Sequence, residues 1–269
     1  MYKLHDLTHL DWRVTHNGGV SYGCYYKATE VINGKKFYYK CSNFYQNNYS
    51  FGDESVYEVI CSRLFSKLGF NCVKYSLIFA KVKIQGEVYN TYVCKSEDFS
   101  VGYESRITLE NLHLLYKGVS VDDLITKLGI QSQIREMLLA DFLVLQRDRH
   151  GGNIELLFKK GKYYLSPLFD NGLGLLAPYP SSFKTDISSF DVLFDYPVNN
   201  YIGSRSLFQN LSYINKPIKV NRLLKRDRGA LFYNLADVLP KSYLDKTWEL
   251  ITYRYMFLRK RGIIDDTQV

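Results

Sequence analysis

Cysteine is scarce in this sequence, and its spacing does not suit cross-linking or metal binding. The chain of 269 residues contains five cysteines, an odd number, and no two of them form a C-x-x-C pair. A disulfide framework and a zinc site are therefore not expected, and a reducing compartment is the natural setting.

Long apolar runs are also absent. Residues 1–8 do not contain the apolar segment of a signal peptide, and charged residues interrupt every later apolar stretch well short of a membrane span. The sequence contains neither a low-complexity tract nor an internal repeat. We therefore predict a cytoplasmic protein without a membrane span, or an effector exported by a route that leaves no signal peptide.

The residues that are present have the composition of a globular protein. Hydrophobic residues make up 46% and charged residues 23% of the chain, whose length allows one or two domains. The net charge of +8 would suit nucleic acid, an acidic partner or phosphate groups. The densest basic run, residues 216–228, is predicted to form a solvated helix face, so a nucleic-acid partner is not expected.

A β-hairpin is predicted between residues 154 and 169. Two apolar-rich runs, 154–158 and 163–169, flank Gly161-Lys162, a pair suited to a two-residue type II′ turn. Counting outward from this turn places Asn153 opposite Asp170, and opposed residues on an antiparallel pair have Cβ atoms about 5 Å apart. An amide oxygen and a carboxylate at that separation would both bind one hard cation, for which Mg²⁺ is the usual choice.

Asp148 precedes this hairpin, on the loop that enters the first strand. Phosphoryl transfer requires a carboxylate beside such a pair of metal-binding residues. The metal neutralises phosphate charge, while the free carboxylate accepts the proton of the nucleophile. Each of these polar residues taken alone is also common in an ordinary turn. The combination of D-x-H-x-x-N, a hairpin and D-x-G is more specific and favours a phosphotransferase.

A glycine-dense segment precedes the first long predicted strand. It contains Gly18, Gly19, Ser21 and Gly23, and the strand is predicted over residues 24–31. Glycines allow a backbone to approach a ligand closely, and successive N–H groups in such loops can bind phosphate. The spacing matches neither the Walker pattern nor G-x-G-x-x-G, so a plain turn is an alternative.

Lys40 is the candidate phosphate-binding lysine. Asn33-Gly34 predicts a type I′ hairpin turn, and counting from it places Lys40 opposite Lys27. Like charges in this arrangement are unfavourable unless an anion lies between them or the register slips. Glu58 belongs to a helix predicted over residues 54–68 and would meet Lys40 if its side chain turned inward. The alternatives are an exposed lysine on an edge strand and a surface glutamate.

Helical patterns dominate after residue 109, whereas residues 95–103 are polar and resemble a linker. The predicted helices cover the ranges 120–128, 132–145, 222–239 and 242–261. Asp141 lies within the second of these helices, where a buried carboxylate is costly unless it is hydrogen-bonded. We expect Asp141 to brace the loop that carries Asp148.

These segments occur in an order that resembles the HipA-like kinases and, within them, the compact CtkA type. The matching residues are F-Y-Y-K-C at Phe37–Cys41, Y-E-V-I-C-S-R-L-F-S-K-L-G at Tyr57–Gly69, Y-V-C-K-S-E-D-F at Tyr92–Phe99, D-F-L-V-L-Q-R-D-R-H-G-G-N at Asp141–Asn153 and S-P-L-F-D-N-G at Ser166–Gly172. The resemblance implies an α+β, bilobal, protein-kinase-like fold. Its N-lobe, residues 1–97, would hold the glycine-rich loop, an antiparallel sheet and one helix. Its helical C-lobe, residues 98–269, would hold the catalytic loop and the metal-binding hairpin.

The resemblance also implies an activity: a serine/threonine protein kinase that uses ATP and Mg²⁺ and acts on a protein substrate. Lys40 would bind the α- and β-phosphates and pair with Glu58, and Asp148 would be the catalytic base. Asn153 and Asp170 would ligate Mg²⁺. Lys95, Glu97 and Phe99 would belong to the hinge that hydrogen-bonds adenine. Gly18, Gly19, Ser21 and Gly23 would form the loop that covers the nucleotide. Ser21 matches the position at which some family members autophosphorylate.

The chain departs from the family pattern in two respects. Asp170-Asn171-Gly172 lacks the phenylalanine of D-F-G kinases, so the regulatory movement of that side chain is not assumed. The long N-terminal subdomain of full-length HipA toxins is also missing, so the sequence does not support an antitoxin partner of the HipB kind. His150 is predicted to brace its loop rather than to take part in catalysis.

Two other functions remain compatible with these residues. A kinase fold can phosphorylate a small molecule or a lipid, or transfer AMP, because fold does not determine function. A catalytically silent pseudokinase would instead bind a partner or nucleic acid through its basic surface. The joint presence of Lys40, Asp148, Asn153 and Asp170 favours an active enzyme.

Overall fold

The computed structural model describes residues 2–14, 25–48 and 50–267. A six-stranded sheet with the order β1-β7-β8-β4-β3-β2 occupies the first part of the chain. Its strands are β1 (Leu4–Asp6), β2 (Arg13–Val14), β3 (Tyr26–Ile32), β4 (Lys35–Cys41), β7 (Ser76–Ile84) and β8 (Glu87–Glu97). Two short strands, β5 (Phe44–Tyr45) and β6 (Ser50–Phe51), form a separate pair. All neighbours in the large sheet are antiparallel except β1 and β7, which pair in parallel.

The β3–β4 hairpin has the predicted turn and register. Asn33 and Gly34 have φ values of 50° and 76°, and a type I′ turn requires positive φ at both positions. The ladder that follows places Lys27 directly opposite Lys40. The local signal of an Asn-Gly pair was therefore sufficient to bring these two lysines together.

Strand β8 continues into the segment predicted to be a linker. Its last residues pair with β4, with Lys95 opposite Tyr39 and Glu97 opposite Phe37. Lys95 Nζ lies 4.1 Å from the centre of the Phe37 ring, and Glu97 binds Lys35 at 3.0 Å. These contacts across the sheet extend the strand through polar residues that a sequence pattern assigns to a loop.

Helix α1 (Glu54–Leu68) has the predicted bounds and ends at Gly69, whose φ of 92° is the left-handed conformation that glycine adopts readily. Most of its side chains are buried, including the polar Glu58. A helix buried on nearly all sides needs neighbours on both faces. Helix α1 accordingly shares one hydrophobic core with strands of the sheet and with the helices of the second half of the chain.

Most of the helices lie after residue 108. These helices are α2 (Leu109–Leu115), α3 (Val121–Leu128), α4 (Gln131–Val144), α5 (Leu207–Asn210), α6 (Arg228–Leu231) and α7 (Lys241–Lys260). A three-stranded sheet is built from β9 (Ser105–Thr108), β11 (Glu155–Lys159) and β12 (Lys162–Leu165), in the order β12-β11-β9. The two remaining pairs are β10 (Asp148–Arg149) with β13 (Asn199–Asn200), and β14 (Ile218–Lys219) with β15 (Ile264–Asp265).

The predicted helix over residues 222–239 is wrong. Only α6, four residues long, forms there as α-helix, after a short 3₁₀ turn. The carboxylate of Asp227 accepts a hydrogen bond from the backbone N–H of Leu224 at 2.7 Å, and such local bonds compete with a helix. Asn234, with a φ of 60°, then takes the backbone out of the helical region.

None of the helices in the described ranges combines the length and the apolar content that a membrane span requires.

Candidate active site

Lys40, on β4, has its ammonium group between two carboxylates. Its Nζ donates a hydrogen bond to Glu58 Oε1 at 3.4 Å and another to Asp170 Oδ1. Burial alone would lower the pKa of Lys40, but the charges of Asp170 and Glu58 outweigh it and raise that pKa well above its ordinary value. Lys40 is therefore a fixed positive charge.

The two carboxylates respond to this lysine in different ways. Burial raises the pKa of Glu58, and the charge of Lys40 opposes that rise only in part. For Asp170, burial acts in the same direction, but Lys40 and Lys27 outweigh it and lower its pKa well below the ordinary range. Asp170 is thus a permanent anion at the end of the cleft.

The D-N-G segment and helix α1 are in close contact. The backbone N–H of Asn171 donates to Glu58 Oε2 at 2.8 Å, while Oε1 of the same carboxylate accepts from Lys40. A Cβ atom on Gly172 would lie 2.8 Å from the backbone oxygen of Glu54. Glycine is therefore required at 172 if α1 is to approach closely enough for Glu58 to reach Lys40.

Asn153 lies close to Asp148 and has an oxygen available for a ligand. Its Nδ2 donates to the backbone oxygen of Asp148 at 3.1 Å. Its Oδ1 is buried and has no hydrogen-bond partner among the described residues, which is costly unless a cation or donor binds there. This unsatisfied oxygen fits the predicted role of Asn153 as a metal ligand.

No group of three or more His, Cys, Asp or Glu side chains in the described part of the chain is arranged to hold a metal ion. A cation held by Asn153 and Asp170 would therefore take its other ligands from elsewhere. Mg²⁺ in nucleotide enzymes is commonly bound in this way, by one or two carboxylates together with phosphate oxygens and water. The residues present fit a metal that arrives with a nucleotide.

The predicted register of the hairpin after Asn153 is wrong by two residues. The turn residues are Lys160 and Gly161, with φ values of 49° and 75°, and Lys159 pairs with Lys162. The turn is therefore of the I′ type, because both central residues have positive φ. The paired strands stop before they reach Asn153 or Asp170, so the ladder does not place these two residues opposite each other.

Arg149, rather than a strand ladder, connects the segments of Asn153 and Asp170. Its Nη1 donates to the backbone oxygens of Asn153 at 3.3 Å and Phe169 at 2.8 Å, and its Nη2 donates to Asn171 Oδ1 at 2.6 Å. One buried guanidinium thus ties the loop of Asn153 to the segment of Asp170. Asp141 binds the same guanidinium, so Asp141 braces this loop as expected, although through Arg149.

Lys40, Glu58 and Asp170 border a cleft of about 290 Å³. The charged residues that line it are Lys27, Lys40, Glu58, Arg106, Glu155 and Asp170. Its lining also includes five aromatic side chains, from Tyr38, Tyr39, Tyr75, Phe99 and Phe169. The rings of Phe99 and Phe169 are 5.4 Å apart, between centroids. A flat apolar group and a chain of anionic groups would be accommodated side by side.

The predicted nucleotide-binding residues differ in their placement. Phe99 lines the cleft, whereas the side chains of Lys95 and Glu97 contact Phe37 and Lys35 instead. Backbone hydrogen bonds to adenine from this stretch remain a prediction. Gly18, Gly19, Ser21 and Gly23 lie outside the described residues.

Three polar residues that position the site were not predicted from the sequence. Arg149 is one of them, and its buried partner Asp141 was the available signal. Gln146 Nε2 donates to the backbone oxygen of Asp170 at 2.7 Å, where Asp170 has a φ of 55°. Asn199 Nδ2 donates to Asp148 Oδ1 at 2.6 Å, and nothing in the sequence marks this distant residue.

His150 has the bracing role predicted for it. Its Nδ1 accepts a hydrogen bond from the backbone N–H of Gly152 at 3.1 Å. Its Nε2 lies 3.9 Å from Asp148 Oδ2, which is too far for a hydrogen bond. The imidazole therefore shapes the turn after Asp148.

Comparison with known proteins identifies the fold. The chain is similar to the crystal structure of the proinflammatory kinase CtkA of Helicobacter pylori, with a TM-score of 0.60, 14% sequence identity and 97% of each chain covered. It is also similar to HipA of Shewanella oneidensis, solved with HipB and operator DNA, with a TM-score of 0.44 and 15% identity over 93% of this chain and 58% of that one. No family model matches the sequence, and no curated protein matches it. The likeness to CtkA confirms the predicted HipA/CtkA-like, α+β kinase fold, and at this identity it shows the fold alone.

Proposed function

We propose that this protein is a serine/threonine protein kinase that transfers the γ-phosphate of ATP in the presence of Mg²⁺. The observation that carries the proposal is the ammonium group of Lys40, placed between Glu58 and Asp170 in a cleft that also contains aromatic rings. The likeness of the fold to a protein named as a kinase supports it. We assign residues 1–97 to the N-lobe and residues 98–269 to the C-lobe.

Positive charge in the cleft would bind the phosphates. Lys40 supplies one fixed charge, oriented by Glu58, and Lys27 supplies a second from the opposite strand. Such charges accelerate phosphoryl transfer because they are already in place where negative charge is concentrated. The aromatic part of the cleft, with Phe99 and Phe169, would receive the adenine ring.

Asn153 and Asp170 would hold the metal ion. Asn153 offers an unsatisfied buried oxygen, and Asp170 offers a carboxylate whose pKa favours the charged form. Mg²⁺ bound there would neutralise phosphate charge during the transfer. Lys40 and Gln146 fix the orientation of Asp170, so this ligand needs little rearrangement.

Asp148 would act as the base. The hydroxyl oxygen of the acceptor side chain bonds to the γ-phosphorus, the bond from that phosphorus to the β,γ-bridging oxygen breaks, and ADP leaves. The hydroxyl proton passes to the carboxylate of Asp148, which the catalytic loop presents beside Asn153. We further propose that Ser21 is one such acceptor, in autophosphorylation. If phosphopeptide mapping of active protein after incubation with ATP finds Ser21 unmodified, the proposal that Ser21 is autophosphorylated is wrong.

Thermal unfolding with and without ATP and Mg²⁺ tests the nucleotide site. A ligand that binds only folded protein stabilises it by about 2.7 kcal/mol at a hundredfold excess over Kd. We expect this shift in wild type, in Asp148→Ala and in the control Asp186→Ala, which changes an exposed loop residue. Asp170→Ala should lose it. The absence of a shift in wild type would contradict the proposal and favour a pseudokinase.

Labelled ATP then tests the reaction. We expect wild type to transfer label from the γ-position and not from the α-position, and to place it on serine or threonine. Asp148→Ala should bind nucleotide but lose most of the transfer. Transfer of α-label would indicate AMP transfer, and turnover that requires a small molecule or lipid would indicate a different acceptor class.

A further inference from the structure

Asn199 contacts Asp148 from a distant part of the sequence. Its strand, β13, pairs in parallel with β10, so Asn199 lies beside Asp148. The backbone N–H of Asn199 donates to the oxygen of Arg147 at 2.8 Å, and the N–H of Tyr201 donates to the oxygen of Arg149 at 2.9 Å. These main-chain bonds fix the position of the Asn199 backbone relative to Asp148.

The side chain of Asn199 binds one of the two carboxylate oxygens of Asp148. Nδ2 donates to Oδ1 at 2.6 Å. The other oxygen, Oδ2, lies 3.9 Å from His150 Nε2, beyond hydrogen-bond distance. The His150 ring is itself held by the bond from Gly152 to Nδ1, which requires that this nitrogen carry no proton. Among the described residues, Asp148 thus has a hydrogen-bond donor at Oδ1 and none at Oδ2.

This difference between the two oxygens has a chemical consequence. A carboxylate that rotates freely presents either oxygen in many directions, whereas a proton acceptor works best when it is held within reach of the reacting hydroxyl. The amide of Asn199 donates a hydrogen bond to Oδ1 and leaves Oδ2 for the proton of the acceptor hydroxyl. We propose that Asn199 is a positioning residue that orients Asp148 so that Oδ2 accepts the proton of the acceptor hydroxyl, an inference that rests on the proposed kinase function.

The same geometry connects the base to the segment that follows the metal-binding residues. Residues 171–198 join Asp170 to Asn199, and the chain is held at its far end by the bond from Val198 N–H to the oxygen of Arg205 at 2.9 Å. The bond from Asn199 to Asp148 therefore depends on the pairing of residues 199–201 with residues 147–149.

Steady-state kinetics test this role. The measured quantity is total γ-phosphate transfer from ATP and Mg²⁺, to casein as a probe acceptor, to the chain itself and to water. We expect Asn199→Ala to lower kcat by about 10- to 100-fold, the cost of a misplaced catalytic group, with the KM for ATP within about twofold of wild type. The control Asn90→Ala, an exposed position on β8, should leave both parameters unchanged.

Asn199→Asp separates positioning from packing. It keeps the size and shape of the side chain but replaces the donor with a second carboxylate beside Asp148. We expect kcat to fall at least as far as in Asn199→Ala. Wild-type kcat in Asn199→Asp would overturn the inference, because shape alone would then be sufficient.

A double-mutant cycle with Asp148→Ala shows whether Asn199 acts through the base. In the Asp148→Ala background, Asn199→Ala should have no further effect on kcat. A further fall of the same size would overturn the inference and indicate that the amide touches the substrate directly. A rise in kcat for Asn199→Ala alone would also overturn it, because the amide would then obstruct Asp148. Wild type without any transfer would refute the proposed function and this inference together, whereas active wild type matched by Asn199→Ala refutes only the inference.

Discussion

The guanidinium of Arg149 contacts the carboxylate of Asp141 with two of its nitrogens. Nε lies 3.2 and 3.1 Å from the two carboxylate oxygens, and Nη2 lies 2.7 Å from Oδ1. Both side chains are almost completely buried. Because the other donors of Arg149 bind the segments of Asn153 and Asp170, this ion pair connects helix α4 to both predicted metal ligands.

Arg149→Lys should therefore destabilise the protein strongly. An ammonium group cannot reproduce the planar, multiple contacts of a guanidinium. Removing one partner of a buried ion pair typically costs about 3–5 kcal/mol, and we expect a loss that approaches this range. Urea unfolding measures the effect, and Arg205→Lys, at an exposed position, is the matched control. A loss below about 1 kcal/mol, within the range of surface ion pairs, would contradict a structural role for this pair.

Gly172→Ala should reduce activity by displacing helix α1. The new Cβ would lie 2.8 Å from the backbone oxygen of Glu54 and 3.3 Å from Cγ of Glu58, so α1 must shift and withdraw Glu58 from Lys40. We expect kcat/KM for ATP to fall at least about tenfold, which is about 1.4 kcal/mol. Gly229→Ala is the matched control, because a Cβ there meets nothing within 4 Å. Equal activity of the two variants would show that α1 accommodates the methyl group.

The local features of this fold could be predicted from the sequence. Helix α1 has the predicted bounds because an apolar helical period and a terminal glycine coincide. The Asn33-Gly34 turn determined the pairing of Lys27 with Lys40, since a type I′ turn leaves one register. The cleft lysine and its helix glutamate also meet as expected.

The long-range features could not be predicted in the same way. Gly161 fits a two-residue turn with Lys160 before it or with Lys162 after it, and a sequence pattern does not distinguish these registers. Strand β11 also pairs with β9, a strand that was not predicted. Asn199 and Asp148 meet only because two short strands pair across a long stretch of chain. Such contacts depend on tertiary packing and leave no periodic signal.

Lys27→Met should weaken nucleotide binding while the unliganded protein becomes no less stable. Lys27 and Lys40 are opposed on neighbouring strands, and burial, together with the charge of Lys40, lowers the pKa of Lys27 against the opposing effect of Asp170. Removing the charge ends the cost of burying it in the empty cleft but removes a partner of the phosphates. We expect the Kd for ATP to rise by about tenfold, or about 1.4 kcal/mol, by titration calorimetry.

The control for this variant is Lys83→Met, at an exposed position on β7. Adenosine supplies a second control, because it lacks phosphates and should bind wild type and Lys27→Met equally. If ATP bound Lys27→Met as tightly as wild type, Lys27 would have no contact with the phosphates.

Glu54→Gln should remove a pH-dependent loss of stability. Burial raises the pKa of Glu54 from its ordinary 4.5 to about 7. The folded protein therefore retains this proton more tightly than the unfolded chain does. The corresponding stability is complete below pH 4.5 and is lost as the pH rises through 7. Glutamine stays neutral throughout, and its side-chain oxygen can still accept the hydrogen bond that Glu54 receives from Asn43 N–H at 3.1 Å.

The free energy of unfolding of Glu54→Gln, relative to wild type, should consequently increase between about pH 5 and pH 8, by a few kcal/mol at most, since one pKa unit corresponds to about 1.4 kcal/mol. Urea unfolding at several pH values measures this difference. Glu87→Gln, at an exposed position on β8, should show no such trend. Because Glu54 adjoins Gly172 and shares its helix with Glu58, ionisation of this one carboxyl would weaken the packing of α1 against the D-N-G segment. If the free energies of unfolding of Glu54→Gln and wild type change with pH in the same way, Glu54 ionises without a cost in stability. Its ionisation would then not affect the packing of α1 at the site.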